Sequence, residues 1–219
     1  MNAPANFDRL AKVYRWMEYF SFGKVLERCR FFFLDRCANA RRALVLGDGD
    51  GRFTQRLMQQ NSTVEIDAAD ASPRMLQALR ERVDALGPQP SARLRTLHCD
   101  LRTYTPESRG YDLVVSHFFL DCLSDAEVSA LIERMQPALA PDAIWIVSEF
   151  SIPQRGWMRL PARAVVAWLY RAFGWMTQLG VRQIPNYAAA MRRYGWVLEA
   201  RQPLLGGLLT AEVWRLQRC

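Results

Sequence analysis

Apolar positions along this chain follow two periods in alternation. In "DRLAKVYRWMEYF", Leu10, Val13, Tyr14, Met17 and Phe20 fall three and four apart. Phe7 to Cys37 therefore reads as helix, interrupted at "SFG" and resumed from Lys24. Ala43 to Leu46 is a short unbroken apolar run, a buried strand, and Arg52 to Gln60 follows as a helix. Val64 to Ala69 reads as a second strand. Ser72 then caps a helix with Pro73 at its first position. That helix carries Met75, Leu76, Leu79, Val83 and Leu86 on one side, and "GPQPS" ends it. Arg93 to Asp100 and the apolar run "YDLVVSHF" are strands three and four. "SDAE", Ser124 to Glu127, is a capping-box pattern that opens a helix with Val128, Leu131, Ile132, Met135 and Leu139 aligned. "AIWIVSEF" is a fifth strand. Strands and helices alternating at this spacing predict right-handed crossovers and a mostly parallel sheet. After Phe150 the rhythm changes. Pro161 to Leu179 is a long apolar helical segment, Asn186 to Tyr194 a short helix ended by Gly195, and "WVLEAR" and "LLTAEVWRL" two late strands.

At 219 residues with half of them hydrophobic, the chain suits one large domain with its own core and excludes global disorder. No stretch of about 20 uncharged apolar residues predicts a membrane-spanning helix. The start, "MNAPANFDRL", lacks the basic and apolar parts of a secretory signal. Five cysteines (Cys29, Cys37, Cys99, Cys122, Cys219) with no C-x-x-C pair read as reduced thiols of a cytosolic protein, without a disulfide framework or a zinc site. The net charge of +7 is uneven. Residues 151–219 hold ten arginines against two acids, Glu199 and Glu212, so the whole basic excess lies in the last third. That is either a solvated arginine-rich face or a basic surface for an acidic ligand or for anionic lipid, the last as a peripheral contact at the inner membrane face.

The stretch "LVLGDGDGRF" sets Gly47, Gly49 and Gly51 at alternate positions after a strand and before a helix. Such a turn brings backbone close to a ligand, and the helix N-terminus offers free N–H groups. Dinucleotide folds place a third glycine three residues after the second, where this chain has Arg52. Asp48 and Asp50 would also repel a pyrophosphate, whereas they suit a cationic ligand.

These residues resemble motif I of the class I S-adenosylmethionine-dependent methyltransferases, and further landmarks follow in order. Asp70, 19 residues after Gly51, ends the second strand in "DAADASPRML" and is similar to the family's ribose-binding acid. Asp100, in "HCDL", resembles the acid that receives the adenine amino group. "YDLVVSHFFLD" resembles motif IV, whose carboxyl end faces the methyl group. The resemblance covers about residues 40–150, in relatives grouped as type 12 or quinone-biosynthesis methyltransferases. One departure is Val45, where the family usually has an acid; Asp48 is the candidate to replace it near the ligand's amino group. The resemblance implies a Rossmann-like α/β fold: a seven-stranded, mostly parallel sheet with the last strand antiparallel, a helical N-terminal segment and a helical insertion after strand five. It implies S-adenosyl-L-methionine as donor and S-adenosyl-L-homocysteine as product. It also assigns Ala71 and Leu101, next to those acids, and Ser116, at the end of strand four, to the donor site.

The expected organisation is one methyltransferase domain. Residues 1–38 form a helical cap, 40–150 the donor-binding core, 151–185 a helical insertion or lid, and 186–219 a helix and the last two strands. For proton transfer, His117 follows strand four at the predicted active edge, and its ordinary pKa near 6.5 suits removal of a proton at neutral pH. Asp121, four residues on, is placed to orient it. The alternative is that His117 packs at the strand end. His98 reads as a core residue. No N-P-P-Y or D-P-P-Y tetrapeptide stands in place of "SHFF", which argues against nucleic acid as a partner. "VYRWMEYFSFGK" resembles the N-terminal segment of quinone-biosynthesis C-methyltransferases, but with Arg15 in place of an aspartate and one residue fewer. Val165, Val166, Trp168, Leu169, Phe173 and Met176 share one broad helical side, with Arg163, Arg171 and Gln178 on the other. That segment is a core helix, an apolar lid or a membrane-surface helix. Tyr14, Tyr19 and Trp168 are the candidate wall of the acceptor pocket. The expected activity is methyl transfer to a small apolar or aromatic molecule. The rivals are a membrane-associated quinone or lipid methyltransferase and a non-catalytic donor-binding module. The acceptor atom (carbon, oxygen or nitrogen) and the oligomeric state stay open at this level.

Overall fold

Strand β1 (Arg42–Leu46) has four consecutive buried residues, because it is covered on both faces and flanked on both edges. The computed structural model describes residues 23–153, 160–162, 164 and 185–217. The expectations for the segment from Phe7 to Phe22, for most of the 151–185 insertion and for Tyr14, Tyr19 and Trp168 lie outside the described residues.

On one side β1 pairs in parallel with β2 (Glu65–Asp70), which pairs with β3 (Leu94–His98). On the other it pairs with β4 (Tyr111–His117), which pairs with β5 (Leu139–Phe150). Strand β7 (Leu209–Leu216) runs antiparallel to both β5 and β6 (Trp196–Leu204). The seven-stranded order is β3-β2-β1-β4-β5-β7-β6, with only β7 reversed. Chain order reverses direction across the sheet between β1 and β4, which opens a crevice at the strands' carboxyl ends.

Helices cover both faces. Against one lie α1 (Gly23–Phe31), α2 (Arg52–Gln60) and α3 (Pro73–Asp84), through Leu26 and Cys29, Phe53 and Leu57, and Leu79 and Val83. Against the other lie α5 (Asp125–Met135) and α6 (Tyr187–Arg193), over a core containing Trp145, Trp196 and Trp214. Local chemistry sets the helix starts. The Ser72 hydroxyl accepts the Met75 N–H, with Pro73 at the first helical position. Ser124 and Glu127 close the expected capping box, worth about 1 kcal/mol. The Asp125 carboxylate also accepts the Asn186 N–H, tying the return of the chain to α5.

Three local expectations are corrected. "GPQPS" is not only a stop, since Pro88–Ala92 winds into the short helix α4, its first turn set by Pro88 and its Gly87 entry at φ 110°. The helix expected to reach Cys37 ends at Phe31 and is followed by a 3-10 turn, Leu34–Cys37. His98 is not in the core. It is the exposed last residue of β3, with Nε2 3.2 Å from the Ala71 carbonyl oxygen.

Candidate active site

The glycine turn lies at the carboxyl end of β1, where a ligand crevice of this topology opens. Gly47, Gly49 and Gly51 all have φ between 62° and 81°, a region that costs residues with a Cβ about 1–2 kcal/mol. Beyond this their surroundings differ. A Cβ on Gly47 would stand 2.9 Å from the Phe119 ring, and one on Gly51 would stand 2.5 Å from Leu79 Cγ. Those two glycines make room for the protein's own packing. A Cβ on Gly49 would have only Met75 Sδ near it, at 3.9 Å. Gly49 is therefore the position whose missing side chain leaves space.

Asp48 turns inward. Its Oδ2 accepts the Thr54 N–H at 2.8 Å, capping α2, and its Oδ1 has no hydrogen-bond partner among the described residues. Burial pushes its pKa up, while Arg30 and Thr54 pull it down. Val45, where an acid is usual in the resembled family, is a buried core residue. Asp70, at the end of β2, accepts the Ser72 N–H at 2.8 Å and faces the Gly49 N–H. Burial lifts its pKa to about 6 against these backbone donors. Asp100 lies two residues past β3. Its carboxylate is taken by the Arg102 fork, at 2.7 Å from Nη2 to Oδ2, and by the Arg102 N–H at 3.0 Å. Arg102 accordingly holds the Asp100 pKa below the usual range. Leu101 is buried in the core, and the Ala71 carbonyl faces His98. The Ser116 hydroxyl is fully buried and accepts the Trp145 indole N–H at 2.9 Å.

His117 and Asp121 are not brought together. Successive strand residues face opposite ways, so Ser116 and His117 look to different helical layers. The His117 ring enters the α1–α2 layer, 4.6 Å from the Phe53 ring centroid, with Nδ1 2.9 Å from Ser148 Oγ. Ser148 spends its one proton on the Cys29 carbonyl, so Nδ1–H donates to it. Nε2 is left without a partner among the described residues. Burial, with Arg30 beside it, holds the pKa well below 6.5 and the ring neutral. Asp121 instead lies beside Cys122, whose Sγ is 3.5 Å from Oδ1, and beside Glu149. Burial pushes Asp121 to about 6.

Glu149 was not singled out from sequence. It is the penultimate residue of β5, 1% exposed, and its Oε1 accepts the Phe119 and Leu120 N–H groups at 3.0 and 2.8 Å. It thereby fixes the turn after β4, where Phe118 sits at φ 54°. Burial first, then Asp121, pushes its pKa well up. One signal was available: a lone acid inside the apolar run "AIWIVSEF".

Residues 44–145 match the family model of a methyltransferase domain. Over those residues the chain is similar to methyltransferase domains, and its strand order is that of the class I methyltransferase fold. A stretch of 105 residues, 48% of this chain, is 32% identical to trans-aconitate 2-methyltransferase of Variovorax paradoxus (strain S110) and covers 37% of it. Among solved structures, an O-methyltransferase family protein from Burkholderia thailandensis superposes with a TM-score of 0.71 at 14% identity, over 97% of this chain and 61% of that one. The 1,6-didemethyltoxoflavin-N1-methyltransferase of the same organism, solved with 1,6-didemethyltoxoflavin and S-adenosylhomocysteine, gives 0.64 at 16% identity, over 100% and 94%. Among the described residues of the methyltransferase fold, no helix is long and apolar enough to cross a membrane.

Proposed function

We propose that this protein transfers a methyl group from S-adenosylmethionine to a small acceptor. The observation that carries the reading is Asp70. It is a mostly buried strand-end carboxylate aimed back at the glycine turn beside the one glycine with free space above it. A carboxylate accepting two ribose hydroxyls there is worth roughly 1.5–3 kcal/mol per bond. Bound in that place, the donor supplies an electrophilic methyl on a sulfonium. The chain supplies position, exclusion of water and, for a protic acceptor, a place for the proton.

In this reading Gly49 and Asp70, with Ala71, hold the nucleoside, and Asp100 takes the adenine amino group once Arg102 yields a lone pair. Gly47, Gly51, Asp48, Leu101 and Ser116 shape the site through packing and backbone. His117 supports the strand end, because a buried neutral ring facing α1 and α2 has no route to the acceptor. A small acceptor agrees with the relatives, whose names carry trans-aconitate and 1,6-didemethyltoxoflavin. An apolar or aromatic one is the finer reading, in keeping with the Phe119 ring against the glycine turn. The organisation into cap, core, insertion and C-terminal unit is retained as part of the proposal.

Titration calorimetry with S-adenosylmethionine and S-adenosylhomocysteine tests it. Binding of both is expected, with at least a tenfold loss for Asp70→Ala; a protein that takes up neither ligand refutes the reading. His117→Gln is expected to lower thermal stability while leaving the affinity for S-adenosylhomocysteine within about twofold.

A further inference from the structure

Glu149 and Thr210 are directly paired across the antiparallel β5–β7 ladder, so their side chains rise from the same face of the sheet. Both are buried, at 1% and 3% exposure. Glu149 Oε2 has no hydrogen-bond partner among the described residues. Thr210 Oγ1 also makes no hydrogen bond of normal geometry, although the Tyr187 phenol stands beside it. Buried polar atoms in native proteins are nearly always satisfied, by protein, water or ligand. The unpartnered Glu149 oxygen, with a Thr210 hydroxyl beside it turned only to the Tyr187 phenol, marks a place where a further polar group can be taken up.

The surroundings say what kind of group. Glu149 is faced by Asp121 and Cys122 from the turn after β4 and by Tyr187 from α6, and Cys29, from α1 on the opposite face of the sheet, feels its charge. Beyond Tyr187 stands Glu212, itself held by Arg201 at 2.8 Å. Among the described residues, none of the groups facing Glu149 directly is an arginine or lysine. Asp121 adds to burial in pushing the Glu149 pKa up. Such a pair accepts from O–H and N–H groups and disfavours anions. It also adjoins the donor turn. The Glu149 carboxylate binds the Phe119 N–H, and the Phe119 ring lies against Gly47.

We propose that Glu149, with Asp121 and Thr210, forms the acceptor subsite, and that Glu149 takes the proton of an acceptor hydroxyl or N–H as the methyl arrives. This rests on the methyl-transfer reading above. In the balanced step the sulfur–methyl bond breaks, its electron pair staying on sulfur, and an oxygen–methyl or nitrogen–methyl bond forms. The acceptor proton passes to the Glu149 carboxylate and thence to solvent. The acceptor is thus an alcohol, phenol or N–H compound.

The full chain saturated with S-adenosylhomocysteine is titrated with phenol and with toluene, an isostere without the donor. Calorimetry and the carbon-13 shift of the labelled Thr210 methyl are followed. Phenol is expected to bind at least about tenfold more tightly than toluene and to move the Thr210 signal. Glu149→Gln keeps an oxygen for the Phe119 and Leu120 N–H groups, so it spares the turn. It is expected to abolish the preference for phenol while S-adenosylhomocysteine binds as before. Thr210→Val should weaken phenol severalfold. With methyl-labelled donor and a panel of phenols, alcohols and amines, Glu149→Gln should lower kcat about 100-fold or more and remove the rise of kcat with pH, and Glu149→Asp should restore part of both. Equal binding of phenol and toluene, or neither binding while S-adenosylhomocysteine does, means a buried water only and overturns the subsite alone. A wild-type chain that ignores S-adenosylhomocysteine overturns the methyl-transfer reading itself.

Discussion

Alanine at Gly49 and alanine at Gly51 should fail in different ways, although the two glycines stand two residues apart in one turn. At Gly51 the added Cβ meets Leu79 at 2.5 Å from Cγ and 2.9 Å from Cα, and the backbone atom cannot rotate away. Left-handed strain adds about 1–2 kcal/mol, and overpacking about 1–3 kcal/mol. The sum, roughly 2–5 kcal/mol, corresponds to a melting point lower by about 5–15 °C for a chain of this size. At Gly49 only the strain applies, because the nearest atom, Met75 Sδ, is at van der Waals contact, 3.9 Å. The expected loss is about 1–2 kcal/mol, but the new methyl stands in the space assigned to the donor. Urea unfolding of the ligand-free proteins measures the first quantity, and calorimetry with S-adenosylhomocysteine the second. Gly51→Ala should be the less stable variant and Gly49→Ala the poorer binder, by tenfold or more. The division of labour is wrong if both lose stability equally, or if Gly49→Ala binds with wild-type affinity.

The remaining predictions come from single contacts. Asp70 has its folded pKa raised to about 6, above the unfolded value of about 3.9. Its contribution to stability is therefore full below about pH 4 and lost as pH rises through about 6. Affinity for the donor product runs the other way, since ribose hydroxyls need the carboxylate, and should weaken as pH falls below about 6. Asp70→Asn should bind weakly at all pH values, and a wild-type affinity flat from pH 5 to 8 would contradict this. Arg102→Ala removes a partly exposed competitor for Asp100, worth about 0–1 kcal/mol, so S-adenosylhomocysteine affinity should rise by up to about fivefold. A tenfold fall would show that Arg102 itself touches the ligand. The Tyr111 hydroxyl donates to buried Asp67, which Arg95 also grips at 2.8 Å. Tyr111→Phe should cost about 1–3 kcal/mol by urea unfolding and leave donor binding unchanged.

The elements that frame the candidate donor site follow a short-range pattern, and that is why their order was legible. A strand, three alternate glycines and a capped helix are neighbours in sequence, and Asp70 comes at the end of the next strand. The mostly parallel sheet followed from the alternation of elements, and its seven strands with the last reversed from the family resemblance. Reading failed where a residue's meaning depends on what meets it across the sheet. Asp48 looked like a ligand residue because it sits among glycines, but the N-terminus of α2 claims it through Thr54. Asp100 carries a fork from the residue two places on, a competitor that its motif does not announce.

The acceptor side shows the same limit more sharply. His117 was the visible candidate because histidine is rare in this chain and this one ends β4. Its register partner on β5 is Ser148, and that pair faces α1. One residue further along β5 the side chain must face the other way. Glu149 therefore joins Trp145 and Val147 on the α5–α6 face, together with Thr210 from β7, 61 residues on in sequence. The chemistry of the two faces is thus separated by a single step of the strand period. On one, a neutral imidazole donates to a serine whose hydroxyl is tied to backbone. On the other, a carboxylate has one oxygen spent on the turn and one unspent. Only the second adjoins the turn that packs on Gly47. Under the acceptor-subsite proposal the base lies on that face, and neither the choice of the rarer residue type nor the position along β4 points to it.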